Sequence, residues 1–147
     1  MKWSLIVGGF FGFLSVALGA FAAHALKARL NEYSLGVFRT GVEYQFFHAL
    51  ALILVGILAE KYPQLTMTAI SFTAGIVIFS GSLYALALSN IKVFGAITPI
   101  GGVLFLVGWG LFINSFLKNP LWRQKNGFSS ETRKRSKKPG DVAPEPR

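Results

Sequence analysis

The sequence predicts an all-α membrane protein. It reads as a four-transmembrane-helix bundle with a short interfacial amphipathic helix between helices one and two and a disordered basic C-terminal tail. Three observations predict this. Residues 3–23, 44–59, 67–89 and 93–117 contain no Asp, Glu, Lys or Arg. A helix needs about 20 mainly apolar residues to cross a hydrocarbon core of about 30 Å, which three of these stretches supply and the fourth approaches. Mean hydropathy is +0.51, and only 14% of the 147 residues are charged, against about a quarter in soluble domains. The charge is also gathered at one end: residues 118–147 hold nine Lys/Arg and three Asp/Glu, most of the net +9. The chain therefore divides into a membrane domain, 1–117, with spans near 3–23, 41–59, 67–88 and 96–117, and a basic tail, 118–147.

The first span imitates a signal peptide, with Lys2, an apolar run and Ala20-Phe21-Ala22. The run continues to Ala25, however, and Gly8 and Gly12, then Ser15 and Gly19, are spaced by four. That spacing puts small residues on one face, where a second helix can approach closely, and it suits a retained helix. In residues 25–40, Leu26, Leu30, Tyr33 and Val37 recur at helical spacing, with Lys27, Arg29, Asn31 and Glu32 between them. This pattern predicts the short amphipathic helix in the membrane interface.

No proline interrupts residues 34–60. A helix of that length spans about 40 Å, more than the hydrocarbon core. Helix two should thus begin before its apolar part, with Arg39 and Glu43 at headgroup level and four residues apart, able to pair. The third span has no charge but carries Thr68, Ser71, Thr73, Ser80, Ser82 and Tyr84. The fourth is expected to start at Thr98–Pro99, Thr98 as N-cap and Pro99 at the first helical position. A kink at Pro99 inside a longer helix is the competing reading. Trp3 and Trp122 fall where an interfacial aromatic belt lies, and Trp109 needs little further explanation.

The tail carries Pro139, Pro144 and Pro146 and lacks hydrophobic periodicity, so it is expected to be disordered. Its Arg133-Lys134-Arg135-Ser136-Lys137-Lys138 run has the composition of a nucleic-acid patch. Beside four spans, the expected partner is the lipid bilayer, with anionic headgroups at the tail, and not nucleic acid. Four spans put both termini on one side, and the basic tail assigns that side to the cytoplasm of a cell (inner) membrane.

The absence of cysteine excludes disulfides, thiol nucleophiles, iron–sulfur clusters and thiolate zinc sites. Polar groups inside a bilayer are costly and each needs a reason. The candidate cluster is His24, Glu43, Tyr44, Gln45, His48, Ser80, Ser82 and Thr98. Tyr44 and Gln45 lie four and three residues before His48, on its face of a helix, as hydrogen-bond partners. His48 is a group that could pass a proton near neutral pH. The histidines and Glu43 lack the short spacing of a metal pair, so neither metal nor cofactor is expected. Such a set more often ties helices together through hydrogen bonds of about 1 kcal/mol each. Ser80-Gly81-Ser82 and Thr98-Pro99-Ile100-Gly101-Gly102 read either as a small polar cavity or as tight helix packing.

Four ordered segments resemble a known family: Gly19-Ala20-Phe21-Ala22-Ala23-His24-Ala25-Leu26, Tyr44-Gln45-Phe46-Phe47-His48-Ala49-Leu50-Ala51-Leu52, Phe79-Ser80-Gly81-Ser82-Leu83-Tyr84, and Thr98-Pro99-Ile100-Gly101-Gly102 with Gly108-Trp109. Their order is similar to the YgdD/YwdK-like family of small membrane proteins, a domain of unknown function. The resemblance covers residues 1 to about 117. It implies a bacterial inner-membrane location and a retained first helix, and it implies no activity, substrate or cofactor. The basic tail departs from it. Two functions remain: a membrane-structural or accessory protein that acts through helix contacts, with itself as a homo-oligomer or with another membrane protein, and a carrier of protons or a small solute centred on His48. An intramembrane enzyme ranks below both, since no nucleophile sits beside a base in a recognisable pattern.

Overall fold

Asn31 begins the central helix. Its backbone is extended (φ −65°, ψ 166°) and its Oδ1 accepts the Ser34 backbone N–H at 2.8 Å, which satisfies one of the orphan donors of a helix start. Glu32 follows in the first turn, where the helix dipole favours a carboxylate. The computed structural model describes residues 1–118. Their four long helices are α1 (Lys2–Leu26), α2 (Glu32–Leu58), α3 (Pro63–Ser89) and α4 (Val93–Leu117), each long and apolar enough to cross a membrane. The expectation for the basic tail falls, from residue 119, outside the described residues.

Over its apolar window α2 is 44% buried, against 17% for α1 and α4. It is the helix around which the others pack. Small residues permit this. A Cβ at Gly8 would lie 2.8 Å from Ile53 Cγ1 and 2.9 Å from the Ala49 carbonyl, so α1 touches α2 almost backbone to backbone. At Gly101 of α4 a Cβ would lie 2.7 Å from the Phe79 Cα of α3. In a bilayer, where lipid is as apolar as leucine, such close approach is what holds helices together.

Two apolar cores result. One joins Ala51, Leu52, Val55 and Ala59 of α2 with Leu65, Ala69, Phe72 and Ile76 of α3 and Phe105 of α4, and Val7 and Phe11 of α1 pack against it. The other, at the opposite end, joins Ala22 and Leu26 of α1 with Leu35 and Phe38 of α2 and Ala87 of α3. Asn90 closes that end. It adopts the left-handed conformation (φ 57°) that asparagine tolerates at a helix C-terminus. Its Oδ1 accepts from the Ser34 hydroxyl at 3.1 Å, tying the end of α3 to the start of α2.

Two helices carry a π-helical turn, a feature common at functional sites. Ala22–Leu26 ends α1, and Ile76–Ser80 interrupts α3 where Gly101 approaches Phe79.

Three expectations are corrected. No separate interfacial helix spans residues 25–40. Leu26 belongs to the end of α1, residues 27–30 form a turn, and Tyr33 and Val37 lie in the first turns of α2. The amphipathic pattern was real, but capping by Asn31 makes one continuous helix of it. The fourth helix does not start at Thr98–Pro99 either. It starts at Val93, with Pro99 inside, and Thr98 Oγ1 donates to the Phe94 carbonyl at 3.2 Å. A bilayer tolerates an interior proline where neighbouring helices and Ser/Thr side chains satisfy freed backbone groups. Finally, no ion pair joins Arg39 to Glu43 among the described residues. Arg before Glu at this spacing is the less favourable order along a helix.

Candidate functional site

Between the two apolar cores lies a polar layer, built mainly from one face of α2. Gln45 is 2% exposed. Its Nε2 donates to the Phe11 carbonyl of α1 at 3.0 Å, and its Oε1 accepts from the Tyr84 hydroxyl of α3 at 3.0 Å. One amide thereby holds three helices. Tyr84 reaches it past Gly41, where a Cβ would lie 2.8 Å from the tyrosine ring.

His48, one turn along, is 6% exposed. Its Nδ1 lies 2.8 Å from the Tyr44 carbonyl, and its Nε2 accepts from Trp109 Nε1 at 3.2 Å. A carbonyl only accepts and an indole N–H only donates, so the partners fix the ring as the neutral tautomer with its hydrogen on Nδ1. The imidazole stacks on Phe105 with centroids 3.5 Å apart at 11° and meets Phe72 edge-on at 5.3 Å. Trp109 is itself 41% exposed on the lipid side of α4, with its N–H turned inward. That satisfies the polar end of an otherwise apolar ring.

The other members of the candidate cluster separate. The Ser82 and Thr98 hydroxyls lie 2.8 Å apart across α3 and α4, and with the Thr98 hydrogen directed to Phe94 it is Ser82 that donates across, its Oγ also lying 2.9 Å from the Phe79 carbonyl. The Ser80 hydroxyl, in the π-turn, and the Thr68 hydroxyl, near the start of α3, are buried with no hydrogen-bond partner. His24 is exposed at the end of α1, away from the layer. Glu43 is exposed too and, with Arg39, lines a separate cleft of about 400 Å³ between α1 and α2. Tyr44 serves His48 through its backbone carbonyl, its ring lying against Phe79 at 4.7 Å. Gln45 turns away from His48 toward α1 and α3. Among the described residues no three of His, Asp and Glu come together.

The partners that sequence reasoning missed are Trp109 and the Phe11 carbonyl. Trp109 reads as one more apolar residue of its span, and a backbone acceptor leaves no mark in a sequence. The signal for Tyr84 was present, as a hydroxyl in a charge-free helix.

Residues 18–102 match the family described as a protein of unknown function (DUF423). The chain belongs to this family. Among its relatives, the UPF0382 membrane protein YwdK of Bacillus subtilis is 42% identical over 121 residues, 80% of this chain and 98% of YwdK. The UPF0382 inner membrane protein YgdD of Escherichia coli K12 is 40% identical over 114 residues, 76% of this chain and 87% of YgdD. The UPF0382 membrane protein SAB0533 of Staphylococcus aureus is 40% identical over 119 residues. No solved structure matches the chain. With four membrane-length helices and membrane-protein relatives, this DUF423 chain is an integral membrane protein. Three of the four segments that carry the DUF423 resemblance meet in the polar layer. The second supplies Gln45 and His48, the third Tyr84, and the fourth Trp109.

Proposed function

We propose that this protein is a membrane-structural or accessory protein that acts through its helix contacts, and that the polar layer is its internal frame. The observation that carries this reading is the closed state of His48. Both ring nitrogens are committed, one to a carbonyl and one to an indole. A proton carrier needs a nitrogen free to exchange its partner. Taking up a proton on Nε2 would set N–H against N–H at Trp109, inside a stack of aromatic rings. A buried polar set that satisfies itself and specifies how helices meet is the role this geometry supports.

The reading predicts that crosslinking in native membranes captures a stable adduct, either with a second copy or with another membrane protein. It also predicts that proteoliposomes of the protein carry no more proton flux than empty vesicles. A monomer-only crosslinking pattern, together with flux that vanishes in His48→Ala, would replace it with the carrier reading.

The same proposal places both termini in the cytoplasm, because residues 118–147 carry nine Lys/Arg against three Asp/Glu. A C-terminal fluorescent fusion should be bright and a C-terminal phosphatase fusion inactive. The opposite pair of results reverses the orientation.

A further inference from the structure

The two ends of the helical domain carry almost the same positive charge. Lys27 and Arg29 follow α1, and Lys92 precedes α4. These two connections lie at one end, where the Ser34 hydroxyl donates to Asn90 Oδ1. Lys2 starts α1 and Lys61 follows α2 at the other end, where Gly56 of α2 lies against Ser4 of α1. Lys118 follows Leu117 of α4, and four spans put it on that same side. The balance is three against three. Asp and Glu contribute little to orientation, and Arg39, which lies within α2, adds at most one cation to the first end. Other features of the described residues are as even. Trp3 at one end and Tyr33 at the other are exposed aromatic rings of the kind that settle at either interface. One apolar core lies on each side of the polar layer, whose Gln45 and His48 bonds close inside the bundle.

We infer that the helical domain holds no orientation of its own, and that the basic tail is the device that fixes which way the protein sits in the membrane. Orientation follows the difference in Lys and Arg between the short segments on the two sides. In the helical domain that difference is nought, or one against the side of the termini when Arg39 is counted. Residues 119–147 add eight Lys/Arg to the side of the termini, six of them within 20 residues of Leu117, the stretch over which such charges count. Charges added at a C-terminus can decide the topology of a whole chain. Moving each cation outward works against the membrane potential and against the anionic lipid of the cytoplasmic leaflet, so eight together outweigh an even domain. The inference rests on the cytoplasmic assignment of the termini given above and is independent of the accessory role.

The test is labelling of the full-length protein in intact bacterial cells with an impermeant maleimide. Ala28→Cys, between Lys27 and Arg29, and Glu60→Cys, beside Lys61, report the two sides. Both positions are exposed, and neither change removes a Lys or Arg. With the natural tail, Ala28→Cys alone should label. With the eight cations of residues 119–147 replaced by Gln, all of them beyond the four spans, about half of the molecules or more should turn over. Glu60→Cys then labels, and Ala28→Cys is protected, to that extent. In this neutralised chain Lys61→Gln should raise Glu60→Cys labelling further and Lys27→Gln should lower it, the response of an even balance to single charges. A tail of the same composition in scrambled order should hold the natural pattern. A neutralised chain that keeps the natural pattern would overturn the inference and leave the cytoplasmic assignment standing. So would a neutralised chain indifferent to both single changes, or a scrambled tail that loses the pattern. Labelling of Glu60→Cys alone with the natural tail would remove the inference and the assignment together.

Discussion

Both halves of the Gln45 amide leave its own helix, one for the Phe11 carbonyl and one for the Tyr84 hydroxyl. Removing either partner leaves a buried polar group unsatisfied, which costs more than the bond itself contributes. Gln45→Leu orphans the Tyr84 hydroxyl, and Tyr84→Phe orphans the Gln45 Oε1. Each should destabilise the bundle by about 1–2 kcal/mol. The double variant should cost less than the sum by about 1 kcal/mol, because the second change removes an orphan left by the first. Unfolding of the purified variants in mixed micelles measures all three, and strict additivity would mean that the two side chains do not depend on each other. At this scale the sequence was partly legible. It marked Gln45 and His48 as polar groups in a span that each needed a reason. It did not say which way each points, because direction depends on where the other helices stand.

Helices α3 and α4 meet through their backbones. The Phe79-Ser80-Gly81-Ser82 and Thr98-Pro99-Ile100-Gly101-Gly102 segments face each other, joined by the Ser82–Thr98 hydroxyl pair and by Gly101 against Phe79. A Cβ at Gly101 has backbone on its far side and cannot be accommodated by turning a rotamer. Gly101→Ala should therefore cost about 1–3 kcal/mol, the usual range for overpacking. Gly81→Ala, whose Cβ would enter open space, should change stability by a few tenths of a kcal/mol in the favourable direction, since alanine is the better helix former. The same micelle assay compares them, and equal effects would place the crossing elsewhere. The four membrane-length elements were legible from charge-free length alone. The helix starts were less so. Asn31 caps α2 through a single side-chain bond, and for α4 the sequence offered two readings, a start at Thr98–Pro99 or a Pro99 inside a longer helix. Packing rather than propensity chose among them, carrying α4 back across Pro99 to Val93.

The whole molecule presents a wide apolar surface, with Phe13 75%, Leu106 72% and Ile57 61% exposed. In water that would mark an aggregation liability, whereas in a bilayer it is the lipid contact. The chain contains no cysteine, so single cysteines report position cleanly. Cysteines at Lys27 and Lys92 should react with an impermeant maleimide from one side of the membrane, and cysteines at Lys2 and Lys61 from the other. Those at Phe13 and Leu106 should react with neither. Aqueous labelling of Phe13→Cys would mean that α1 does not face lipid. The π-turn of α3 has its own consequence at this scale. It lodges one extra residue in a helix without adding a turn. Loss of any one residue among 76–80 would restore an unbroken α-helix of nearly unchanged reach, and the span would still cross the membrane. Because the turn already absorbs that residue, everything beyond would keep its facing, Ser82 toward Thr98 and Tyr84 toward Gln45, whereas a one-residue deletion in the regular part of α3 would rotate it by about 100°. A single-codon deletion here would thus preserve both insertion and internal recognition, while the same deletion a turn later, between the π-turn and Tyr84, would preserve insertion alone.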